Sequence, residues 1–73
     1  MKPTTLKDRL AEAEGLVAMG ERHIRRQSEL VAELDRDGRD AVVARNLLAI
    51  FQVLQKQYVA ERNLLIRAPK SEE

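Results

Sequence analysis

An all-α antiparallel two-helix hairpin, with helices over about residues 6–36 and 40–67, is the fold this sequence predicts, and three observations predict it. Ala, Leu, Glu, Arg and Gln dominate a 73-residue chain in which strand-like alternation is absent. Apolar and small residues recur in alternating steps of four and three on both sides of a break. The break itself, Asp35-Arg36-Asp37-Gly38-Arg39-Asp40, joins a glycine suited to the left-handed end of a helix with aspartates suited to starting the next one. The whole chain, 1–73, reads as a single domain with frayed tails at 1–5 and 68–73.

The first helix begins near Leu6, because Thr5-Leu6-Lys7-Asp8 matches a capping box in which the Thr5 hydroxyl accepts an early amide. Its seam is Leu6, Leu10, Ala13, Val17, Gly20, Ile24, Gln27, Val31 and Leu34, and Leu16, His23 and Leu30 widen it at intervals of seven. Gly38 ends this helix. Asp40, or Asp37 one turn earlier, caps the next.

The second helix runs to Arg67 and is closed by Ala68-Pro69. Its seam reads Ala44, Leu47, Phe51, Leu54, Tyr58, Glu61 and Leu65, flanked by Val43, Ile50, Gln57 and Leu64. Val42, Ala49, Val53, Val59 and Ala60 spread apolar surface over other faces, so this helix is apolar around much of its circumference. Asn46, Gln52, Gln55 and Gln57 interrupt the run and argue against a membrane span.

Folding the helices back about residue 39 mirrors one seam on the other. Val31 then meets Leu47, Gln27 meets Phe51, Ile24 meets Leu54, Gly20 meets Tyr58 and Val17 meets Glu61. Gly20 reads as a packing residue opposite a large side chain. Three seam positions per heptad are more than one helix pair can cover, so a homodimer closing into a four-helix bundle is expected. Its interface residues are expected to be Leu47, Ile50, Phe51, Leu54, Tyr58, Val17, Ile24 and Val31. A helical protein partner laid on the second helix is the other occupant this pattern admits.

The composition excludes more chemistry than it suggests. Without cysteine there is neither a disulfide nor a thiolate metal site, and the start of the chain lacks the apolar stretch of a secretory signal, so a cytoplasmic protein is expected. Thirteen basic against 12 acidic residues leave a formal charge of +1, far from the excess that marks nucleic-acid binders. His23, the single histidine, has no glutamate three residues before it and so misses the motif of carboxylate-bridged metal bundles. It is expected at the seam's edge with a hydrogen-bond partner. Glu61 on the seam offers a carboxylate whose burial would suit acid or base work, but no second catalytic group has a place beside it. Gln27 and Glu61 are better read as polar seam residues that set register or oligomeric state. Arg22, Arg25 and Arg26 form a basic cluster that Glu21 and Glu29 are spaced to neutralise. No catalytic, metal, cofactor or small-molecule site is expected.

Taken together, His23-Ile24, Arg26-Gln27, Leu30-Val31-Ala32-Glu33-Leu34, Asp37-Gly38, Asp40, Ala44-Arg45, Leu47-Leu48, Phe51, Leu54-Gln55 and Val59 resemble a group of short uncharacterised alphaproteobacterial helical-hairpin proteins. The resemblance spans about residues 23–65 and implies the same hairpin, with no activity attached to it. In architecture the chain is also similar to the RNA-binding ROP-type hairpin, which dimerises into a four-helix bundle. That analogy implies an alternative role, a nucleic-acid-binding regulator in which Arg22, Arg25 and Arg26 meet phosphates.

Overall fold

The structure, a computed structural model, describes residues 5–68 and consists of two α-helices packed antiparallel, α1 (Leu6–Arg36) and α2 (Val42–Arg67). Of the tails expected at 1–5 and 68–73, residues 1–4 and 69–73, with Pro69 among them, lie outside the described residues.

Each boundary has a local cause. At the start of α1 the Thr5 hydroxyl accepts the Asp8 amide at 3.0 Å, satisfying one of the donors that a helix N-terminus leaves free. At its end Gly38 adopts φ 70°, in the left-handed region, while the Gly38 amide bonds to the Asp35 carbonyl and the Arg39 amide to the Leu34 carbonyl. This pair of bonds is the standard closure of a helix through a left-handed residue, which glycine adopts without strain. Ala41 occupies the cap position of α2 and has no side chain to offer; Asp40 supplies the missing acceptor by taking the Val42 amide at 2.9 Å. Ala68 closes α2 in extended conformation, as the residue before a proline favours.

The core between the helices is thin. Among the described residues only Ala13, Val17, Gly20, Ala41 and Ala44 are buried, and no large side chain is fully enclosed. Small residues let the helices approach closely, but they remove little apolar surface from water. A fully buried Val contributes about 1.5 kcal/mol, and an Ala less.

The expected mirror register is corrected by the contacts. The notch at Gly20 is filled by Gln55 instead of Tyr58: a Cβ added at Gly20 would lie 1.7 Å from Gln55 Oε1. Gln55 Nε2 donates to the Val17 carbonyl at 2.9 Å, where Glu61 was expected, and Gln27 Nε2 donates to the Ala44 carbonyl at 3.0 Å, where Phe51 was expected. In each case the partner lies nearer the turn, by about one helical turn or two. The seam of α2 accordingly runs through Ala41, Ala44, Leu48, Phe51, Gln55, Tyr58 and Arg62, all partly or fully covered, while Leu47, Leu54 and Glu61 turn outward. The two readings of α2 share Ala44, Phe51 and Tyr58 and differ by one position between them. An apolar arc this wide leaves periodicity unable to choose.

The two glutamines act reciprocally, one on each helix reaching a backbone carbonyl of the other. Each donates to an oxygen that already belongs to a helical ladder, so the cross-link forms without unwinding either helix. Near the turn, Arg45 pairs with Asp35. Both side chains are about half exposed, so the pair contributes less than about 1 kcal/mol.

Candidate functional site

The chemistry-bearing residues do not gather. Among the described residues no three of His, Asp and Glu come close enough to share a metal ion, and no helix is long and apolar enough to cross a membrane. Glu61 is exposed in an open groove with Arg9, Gln57, Ala60, Leu64 and Leu65, which corrects its expected place on the inner seam. His23 sits at the edge of the seam as expected, but its contact is the Phe51 ring, with centroids 5.5 Å apart and planes tilted by 38°. Gln27 lies half-buried on the seam, where its amide donates to the Ala44 carbonyl.

What does converge is apolar surface. Along one edge of the hairpin Met19, Gly20, His23, Phe51, Leu54 and Tyr58 line a shallow groove of about 210 Å³. The separate Glu61 groove lies farther along α2 toward the open end, and Leu47 and Ile50 are exposed on the turn side of Leu54. Of the nine large hydrophobic residues left exposed among the described residues, Leu30 alone belongs to α1; the others, Val42, Val43, Leu47, Ile50, Val53, Leu54, Leu64 and Ile66, belong to α2. Exposed apolar residues scattered singly are ordinary, whereas eight of nine on one helix leave that helix with an unpartnered apolar surface.

The expected interface residues divide accordingly. Leu47, Ile50 and Leu54 are exposed, and Phe51, Tyr58, Ile24 and Val31 are half-buried. Val17 is 5% exposed, enclosed by α2 of its own chain, and has no surface to give a partner. Val43 and Leu64, expected to flank the seam, and Val53, expected on another face, are also exposed on α2.

Arg22, Arg25 and Arg26 are all exposed on the face of α1 turned away from α2. The pairings that Glu21 and Glu29 are spaced to make do not form, since Asp35–Arg45 is the one ion pair among the described residues. Comparison with known proteins adds no relative: no family model, no curated protein and no solved structure matches the chain.

Proposed function

We propose that the chain is a small non-enzymatic association module that works as a homodimer, two hairpins closing into a four-helix bundle over the apolar arc of α2. The exposed set Val43, Leu47, Ile50, Leu54 and Leu64 carries this reading. Sedimentation equilibrium and helical content measured across a dilution series test the reading. A dimer whose helicity falls on dilution is expected, and a fully helical monomer at micromolar concentration would refute it.

A second reading rests on the unpaired arginines. Arg22 and Arg25 lie on the side of α1 away from the groove, with Arg26 beside it one heptad on from Met19, so dimerisation over α2 leaves at least the first two free to meet phosphates of RNA or DNA. Binding that weakens with salt and is lost in the Arg22→Gln/Arg25→Gln/Arg26→Gln variant is the expected signature. No retention of RNA or DNA at low salt excludes it.

A further inference from the structure

The proposed homodimer leaves open which helices meet across it and in which direction. We infer that the second copy docks α2 against α2, antiparallel, about an axis near Leu54, with both α1 helices on the outside. The inference rests on the association reading above and deepens it.

The choice of α2 follows from the surface. With eight of the nine large exposed hydrophobics on α2, a dimer built on α1 would leave most of the unpartnered area in water. Two grooves flank α2, one lined in part by Leu54 and the other by Leu64, and the exposed Val43, Leu47 and Ile50 lie on the turn side of them, so a helix laid along α2 meets apolar side chains over much of its length.

A second copy fits this stripe because its spacing is nearly the same read in either direction. Val43, Leu47, Ile50, Leu54, Gln57, Glu61 and Leu64 follow one another in steps of four and three, and Leu54 stands at the centre. A reversed copy therefore lays Val43 over the partner's Leu64 and Leu54 over its own counterpart. Val43 and Leu64 are among the most exposed of the large hydrophobics, at 80% and 67%.

Direction follows from charge. Glu61 is the one ionisable residue on the stripe. In a parallel pair it would stand against the partner's Glu61, and like charges at one level oppose association. In the antiparallel pair the two Glu61 residues lie seven residues either side of Leu54, about 20 Å apart at helical rise.

The chain has no cysteine, so introduced thiols report contacts without background. Val43→Cys and Leu64→Cys full-length chains, separately and mixed in equal amounts, are oxidised mildly and resolved by non-reducing gel and mass. A Leu54→Cys chain is treated alongside, and sedimentation of the unmodified chain and the reduced variants reports assembly. The expected result is a disulfide-linked dimer from Leu54→Cys alone, and a 43-to-64 linked species in the mixture at several times the yield of either single variant. Self-linking of Leu64→Cys at the yield of the mixture would overturn the direction. Failure of Leu54→Cys to link while the chain sediments as a dimer would overturn the α2 pairing and leave the association reading standing. A monomeric unmodified chain would instead refute the association reading itself.

Discussion

The two helices of this hairpin are of similar length, yet they behave as opposites. α1 turns its small and apolar residues to one side and sets Glu21, Arg22, Arg25, Arg26 and Glu29 on the other, the pattern of a helix with one covered face. α2 gives its inner face to α1 and still presents eight large hydrophobic residues outward. The difference teaches where apolar surface is left without a partner: most of it lies on α2 and little on α1.

The largest expected effect comes from breaking the second half of that contrast. Ile50→Glu with Leu54→Glu places two carboxylates on the stripe proposed for the partner, where burial without a pairing group costs several kcal/mol. Association is expected to weaken at least 100-fold by sedimentation. Paired changes on the outer face of α1, Arg22→Glu with Arg25→Glu, are expected to leave it within about two-fold, in line with the small effects of surface substitutions.

A smaller effect is expected at the seam the helices share. Gly20→Leu must expel Gln55 from its notch, break the bond to the Val17 carbonyl and overfill the space, costing about 1 to 3 kcal/mol by chemical denaturation. The Gln55→Ala variant sharpens the point. It removes the displaced side chain and the hydrogen bond with it, at about 0.5 to 1.5 kcal/mol, and in that background Gly20→Ala is expected to stabilise, by up to about 1 kcal/mol of helix propensity. Additive losses from Gly20→Ala and Gln55→Ala would show that the notch is not what couples them.

At the turn, Gly38→Ala meets no neighbouring atom but must hold φ 70°, so its cost is backbone strain alone. About 1 kcal/mol of stability is expected to be lost in thermal or urea unfolding. Thr5→Ala removes the hydroxyl that accepts the Asp8 amide and is expected to cost about as much or slightly less.

The helices, the bend at Gly38 and the Thr5 cap were legible in the sequence because each is written within a few neighbouring residues. Thr5 and Asp8 are three apart, and Gly38 needs only its own backbone. The pairing between helices was not legible, and the reason lies in α2. Leu47 and Leu48, like Leu54 and Gln55, offer two neighbouring seams of similar apolarity, and nothing local distinguishes them. Gln55 carried the missing information: its amide hydrogen-bonds across to α1 and its oxygen fills the space that Gly20 leaves. Periodicity reads it as a polar interruption. Seam glutamines opposite a glycine, such as Gln55 and Gly20, are the signal that would have found the register. The outward arc of α2, by contrast, follows from composition directly, since no single partner helix covers so wide an apolar stripe.

The closed turn also sets the order in which this molecule comes apart. The helices are joined at one end only, and that end holds the Gly38 closure, the Asp35–Arg45 pair and the bond from Gln27 to Ala44. Contacts near it close short loops and re-form easily, while contacts at the far end span most of the chain. Opening therefore starts at the end remote from Gly38 and travels toward it like a zip. Amide hydrogens should exchange in that sequence, fastest around Leu10 and Leu65 and slowest around Val31 and Leu48.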